Sequence, residues 1–271
     1  MTNIKNQKRP HNNCMSDEIV SECIDLYMEG LNCRAIQNHL LHHRNITISH
    51  ATIFYWIQKY AEILPKFTDT QKPRTGTVWQ IDEIYMRFED VVKNPDPKKN
   101  IMPWGFWVIV CIDKKTKYVV HAMLAFDRST SSMDKFMRTI SSKANAPEVI
   151  ETDSYIAYTS SIRKYFPDTK HKPRNIKLKA TTTCIERFNK ILINRTKTMQ
   201  GLKNFDTCEK NISLFIIWYN YLRPYMTIMD GMPRNMYKTP AQAADIDLDL
   251  SERWLSLFKL SERQSRSLLS E

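Results

Sequence analysis

Glycine is scarce, with five in 271 residues, and neither a P-loop nor a GxGxxG stretch occurs. The chain therefore has no Gly-rich cradle for nucleotide phosphates. The six cysteines, at 14, 23, 33, 111, 184 and 208, include no CxxC pair, which argues against a zinc ribbon. Three lie within apolar patterns, and reduced thiols in a cytoplasm are expected. No apolar run reaches the roughly 18 residues that a membrane helix needs, so no membrane partner is expected. The first 13 residues, MTNIKNQKRPHNN, lack an apolar signal core, which predicts that the chain is not exported. The seven histidines form no cluster that would suggest a positioned imidazole base. What the chain does have is positive charge: 40 Lys and Arg against 29 Asp and Glu, a net +11. That balance points to an acidic partner, nucleic acid first.

Residues 16–64 carry helical periodicity. Ser16 can cap a helix with Ile19, Val20, Cys23, Ile24 and Tyr27 on one stripe, ending at Gly30. Asn32 can cap a second, and Ser49 a third, HATIFYWIQKYAEIL, with Ile53, Trp56, Ile57, Tyr60 and Leu64 inward. Short helices and tight turns fit a helix-turn-helix. Its outer face would present Ala51, Thr52, Tyr55, Gln58 and Lys59 to a major groove, beside a basic arm with Lys5, Lys8 and Arg9. The alternative is a small helical bundle that binds protein or merely packs. The expected organisation is an all-α DNA-binding unit at 1–64, a Pro- and Gly-containing linker at 65–77, an α/β unit at 78–223 and a helical tail at 224–271. The tail is amphipathic, with Trp254, Leu257 and Phe258.

The α/β unit opens on the strand VWQIDEIYMRF. GFWVIVCID and YVVHAMLAF follow as an antiparallel meander, with Asp113 and Asp127 read as turn and cap residues. A helix is expected from Ser131, with Asp134 completing its capping box. PEVIETD then delivers Asp153 at a strand end, where open α/β sheets place ligand-bearing residues. TTTCIERFNKILINRTKT reads as a two-faced helix, with Glu186, Lys190, Asn194 and Lys197 along one side and Arg187 beside them. A further helix, FDTCEKNISLFIIWYNYLRP, has Asp206 and Glu209 in capping-box spacing. Thr239 and Pro240 open another.

Carboxylates inside an apolar strand are costly unless a cation or several donors meet them. A strand carboxylate, a strand-end carboxylate and a helix carboxylate together suit a two-metal phosphodiester site. Mg²⁺ takes hard oxygen ligands, and a metal pair serves both the attacking and the leaving oxygen. Asp82 and Glu83 alternate across their strand, so only one is expected to join Asp153 and Glu186. Periodicity alone does not choose between them.

In that order the motifs resemble those of DDE-family transposases of bacterial or archaeal insertion sequences, within the retroviral-integrase and ribonuclease H-like superfamily. WQIDEIY resembles the family's first-aspartate strand and VIETDSYIAY its second-aspartate segment. CIERFNKILINRTKTMQGLKNF resembles the glutamate helix, and WYNYLRPYMT and KTPAQAADI the closing segments. The resemblance spans about residues 17–245, with 33 positions between Asp153 and Glu186. It implies a ribonuclease H-like mixed sheet flanked by helices, preceded by the helix-turn-helix. It also implies two Mg²⁺, replaceable by Mn²⁺, on Asp82, Asp153 and Glu186, of the strand pair choosing Asp82. Arg187, Lys190 and Lys197 would guide DNA. The implied activity is end binding, DNA nicking and strand transfer by a homodimer or larger assembly on double-stranded DNA, in a cytoplasm at the nucleoid. A nuclease of the same fold and a silent DNA-binding regulator are the competing readings. The chain departs from the family at Thr181, Thr182 and Thr183, where asparagines are frequent, and at Tyr225, where His is.

Overall fold

The computed structural model describes residues 15–87, 105–153, 155–173, 183–198, 204–225 and 237–268. The arm carrying Lys5, Lys8 and Arg9, the loop 93–103 expected between the first two strands, and Thr181 and Thr182 lie outside the described residues.

Three helices come first: α1 (Asp17–Met28), α2 (Cys33–Arg44) and α3 (His50–Thr68). Gly30 follows α1 at φ 111°, the left-handed conformation that glycine adopts without a Cβ clash. Asn32 caps α2 by accepting from the Ala35 N–H, and Ser49 caps α3 by accepting from Thr52. Ser16 precedes α1 without a side-chain cap bond. Helix α3 runs past the expected end at Leu64, through Pro65, into the stretch expected as linker. A proline this near a C-terminus removes one helical bond, and continuing the helix buries Phe67 against the core.

Five strands among the described residues form one mixed sheet in the order β3-β2-β1-β4-β5. They are β1 (Val78–Arg87), β2 (Gly105–Asp113), β3 (Val119–Ala125), β4 (Val149–Thr152) and β5 (Lys170–Pro173). The first three pair antiparallel, whereas β4 runs parallel to both β1 and β5. This is the expected α/β class, with the carboxylate strand β1 at the sheet's centre. Asp113 accepts from the Thr116 N–H and hydroxyl at the β2–β3 turn. Asp127 accepts from Ser129 and Ser132. Both are turn and cap residues, as expected.

The sheet is flanked by α4 (Thr130–Lys143), α5 (Ile156–Tyr165), α6 (Cys184–Thr196) and α7 (Phe205–Ile217), which continues as a π-helical turn, Trp218–Leu222. Two caps differ from the sequence expectation. Ser129, not Ser131, caps α4; Asp134 instead ties α4 to α5, accepting from Ser161 and Lys164 at 2.6 Å each. Asn204, not Asp206, caps α7, while Asp206 pairs with Lys210 at 2.9 Å. In each case an earlier Ser or Asn offers the same oxygen, and the acid finds a cation instead.

After α8 (Pro240–Ala243), the tail helix α9 (Trp254–Leu268) returns to the N-terminal helices. Asp25 of α1 accepts from the Arg253 guanidinium at 2.7 Å and from the Trp254 indole at 3.0 Å. Tyr60 of α3 stacks on Phe258 with centroids 3.8 Å apart. Helix α3 also lies along α7, where Lys210 meets Glu62 at 2.5 Å. The N-terminal helices thus share a hydrophobic core with the sheet unit and the tail. The five described cysteines are free thiols, four of them buried.

Candidate active site

The site grows from where β4 stops and β1 continues. The parallel ladder between them runs from Val78↔Val149 to Gln80↔Glu151. Extending that register two residues brings Asp153 level with Asp82, just beyond the C-terminal end of β4. Asp153 has left the ladder, and its carboxylate accepts from the Tyr155 N–H at 3.0 Å. Free of the sheet's pleat, it approaches both neighbours on β1. Carboxylate oxygens of Asp82, Glu83 and Asp153 all lie within 4.8 Å of one another. Both adjacent acids thus come near Asp153, although alternation sets their side chains on opposite faces of β1. Alternation separates two side chains on one strand, but a residue beyond a strand's end can reach around its neighbour's edge.

On one face of β1, Asp82 meets α6. Asn189 donates to Asp82 Oδ2 at 3.1 Å. Two residues earlier, buried Gln80 accepts from the Ile185 N–H at 3.1 Å and donates to Glu151 at 2.8 Å. The first N–H groups of a helix have no partner within it. Gln80 satisfies one of them and so fixes the start of α6 on β1. Thr183, the described member of the threonine run, is the N-cap: its hydroxyl accepts from the Glu186 N–H, and Glu186 accepts back from the Thr183 N–H at 3.1 Å.

Glu186 therefore stands exposed in a capping box and outside the carboxylate cluster of the described residues, where Glu83 stands instead. Sequence spacing put Glu186 on the polar side of this helix and could not see that the helix's own N-terminus would hold it.

On the other face, the Glu83 side chain is 2% exposed, with Arg128 Nη1 at 3.8 Å. Burial, then the charges of Asp153 and Asp82, push its carboxyl up to about 7, against the opposing pull of Arg128 and of the neighbouring Tyr158 hydroxyl. Arg128 in turn stacks on Trp107 and Tyr155, its guanidinium carbon 4.5 and 4.4 Å from the ring centroids.

The residues expected to meet DNA divide. Arg187, Lys190 and Lys197 are exposed along α6, as is Asn194. Arg187, Lys190 and Asn194 line an open groove of about 410 Å³ with Arg223 and Tyr225. On α3, Tyr55 is 56% exposed and Lys59 is exposed. Thr52 is half-buried, its hydroxyl 2.8 Å from that of the Ser49 cap. Gln58, expected outward, is instead turned inward, where it donates to Asn211 of α7 at 3.0 Å. The helix faces two layers here, and α7 covers the side that a lone helix-turn-helix would leave open. Sequence reasoning singled out neither Gln80 nor Asn189 nor Arg128. The first lies two residues from Asp82 in the same row, and the second lies one helical turn from Glu186.

A family model described as a DDE domain, of the IS240 transposase type, matches residues 76–223, more than half of the chain. The chain belongs to the DDE transposases. A search of curated protein sequences finds no match. Among solved structures, one similar chain is in a simian T-cell lymphotropic virus intasome bound to PP2A regulatory subunit B56 gamma. It has 14% identity and a TM-score of 0.45 over 64% of this chain, which spans 56% of that chain. The HTLV-2 integrase catalytic core in complex with magnesium has 16% identity and a TM-score of 0.41 over 64% of this chain and 97% of its own. The BIV integrase core has 12% identity and a TM-score of 0.43, over 62% and 93%. Within this DDE transposase, no helix among the described residues is long and apolar enough to cross a membrane.

Proposed function

We propose that the protein binds the ends of an insertion sequence and, with divalent metal, nicks the DNA there and joins the freed 3′-hydroxyl to a target duplex. The observation that carries this reading is the meeting of Asp82 and Asp153 at the sheet's centre, under the helix that bears Glu186. The carboxylates fit the metal by chemistry, since Mg²⁺ takes hard oxygens. They fit by environment as well, because the buried Glu83 Oε1 makes no hydrogen bond of full geometry. Asp82, Asp153 and Glu186 would hold the two ions. Bound there, such a pair supplies activation of the attacking oxygen and charge relief for the leaving one.

Glu186 and Asn189 are three residues apart and share one side of α6. Asn189 already touches Asp82, so rotation of the Glu186 side chain out of its capping box is the movement this reading requires. Leaving the capping box would cost about 1 kcal/mol, which metal ligation exceeds. Asn189 holds the Asp82 carboxylate in place, and Gln80 holds the helix that carries both.

The remaining assignments follow the same reading. The helix-turn-helix unit at 1–64 meets element ends through Tyr55, Lys59 and Thr52. The catalytic unit at 78–223 follows the segment 65–77, and residues 224–271 form the tail. Arg187, Lys190 and Lys197 receive the DNA backbone. The protein works as a homodimer or larger assembly on double-stranded DNA in a cytoplasm, at the nucleoid. The experiment is a cleavage and joining assay on the DNA flanking the gene, with Mg²⁺ or Mn²⁺. Asp82→Asn, Asp153→Asn and Glu186→Gln should each abolish both steps while end binding persists. Near wild-type cleavage by any of the three rejects its assignment.

A further inference from the structure

We propose that Glu83 is a carboxylate ligand of the metal centre, holding a divalent cation together with Asp82 and Asp153 from the opposite face of β1. The inference rests on the two-aspartate site of the preceding section and adds a ligand to it.

The first observation is position. Oxygens of Asp82, Glu83 and Asp153 lie within 4.8 Å of one another; one Mg²⁺ spans oxygens up to about 4.2 Å apart, so small side-chain rotations bring all three onto one ion. The second is an unmet acceptor. The Glu83 side chain is 98% buried, and its Oε1 makes no hydrogen bond of full geometry, with the buried Tyr158 hydroxyl beside it as a neutral donor. Buried polar atoms of this kind call for a partner.

Arg128 does not meet that need. Its Nη1 stays 3.8 Å from Glu83, beyond hydrogen-bond reach. It is held there by Trp107 and Tyr155 on its faces. The Tyr155 hydroxyl donates to the Arg128 carbonyl at 3.0 Å, and the Tyr155 N–H donates to Asp153. One residue therefore fixes both Arg128 and Asp153 around Glu83. Charge points the same way. Arg128 brings one positive charge to three carboxylates, and a divalent cation brings two more.

The test titrates the full chain, stripped with EDTA, with Mn²⁺ and follows free Mn²⁺ by electron paramagnetic resonance. Asp82→Asn and Glu83→Gln should each weaken Mn²⁺ binding by roughly tenfold or more. Arg128→Met removes the ion pair and no carboxylate, so it should not weaken Mn²⁺ binding. If Glu83→Gln and Arg128→Met both lower the melting temperature in EDTA and neither weakens Mn²⁺ binding, Glu83 is structural and the proposal is overturned. If Asp82→Asn leaves Mn²⁺ binding unchanged, the two-aspartate site itself fails, a distinct result that takes this proposal with it. Should Glu83→Gln not fold, Glu83→Asp keeps the charge and retracts it by one methylene; wild-type Mn²⁺ affinity in that variant overturns the proposal equally.

Discussion

Gln80 is the residue on which the seating of α6 turns, and replacing it with Leu isolates that role. The amide is 1% exposed and serves two partners at once, the Ile185 N–H at 3.1 Å and Glu151 at 2.8 Å. Leu keeps the volume and abandons both. The Ile185 N–H sits in the first turn of α6, where no intrahelical acceptor exists, so it is left buried and unmet at about 1–3 kcal/mol. Glu151 loses a donor but keeps Lys114 at 3.5 Å and Lys172 at 3.9 Å, so that loss is nearer the low end of a charged hydrogen bond, about 1.5 kcal/mol. Extra apolar burial by Leu offsets part of the sum. The expected net is about 2–4 kcal/mol, a fall of roughly 5–15 °C in Tm for a chain of this size.

The assay is urea and thermal unfolding of the full chain, paired with single-turnover cleavage at 25 °C, where the variant is still folded. Cleavage should fall more than the folded fraction does, because Glu186 and Asn189 ride on the displaced helix. Gln80→Glu provides the contrast: it can still accept from Ile185 but sets a carboxylate against Glu151, so it should recover stability as the pH is lowered, whereas Gln80→Leu should not. A Leu variant within about 0.5 kcal/mol of wild type, with an unchanged cleavage rate, would refute the bridging role.

Asn220 should behave as an edge cover. Its amide accepts from the Val119 N–H at 2.9 Å and donates to the Val119 carbonyl at 3.0 Å, closing a stretch of β3 that lies at the sheet's edge; Asn220→Leu should cost about 2–4 kcal/mol in urea unfolding, and a change below 0.5 kcal/mol would contradict this. Lys190 and Lys197 together replaced by Ala should shallow the salt dependence of DNA binding by up to about two units of log–log slope, leaving Tm unchanged; identical slopes would mean a solvated face and nothing more. His121 stacks on Phe136, and burial first, then Lys143 and Lys135, depress its pKa to about 3. Its stabilising contribution is therefore present above the unfolded value near 6.5 and lost as pH falls toward 3. His121→Phe should flatten the decline in urea midpoint between pH 7 and 4.5, and parallel profiles for the two proteins would remove His121 from the account.

The amino-acid sequence by itself determined the local order of this protein. Periodicity located the helices, and turn and cap chemistry placed Gly30, Asn32, Ser49 and Thr239, because these effects act within four or five residues along the chain. β-branched and aromatic content marked the three antiparallel strands, and motif order brought Asp82, Asp153 and Glu186 onto one candidate site. Where two neighbouring residues could fill the same local role, as Ser129 and Ser131 or Asn204 and Asp206 could, the chain alone did not choose. Tertiary structure decided the contacts that cross between elements. Gln58 faces α7 because a second layer covers that side of α3, which a helical stripe does not disclose. Gln80 meets Ile185 across 105 residues and Asn189 meets Asp82 across 107, and no local pattern encodes such pairs. Glu83 joins the carboxylate cluster because β4 ends before β1 does, freeing Asp153 from the pleat. Strand alternation follows from one backbone's geometry, whereas the approach of three carboxylates depends on where two strands stop.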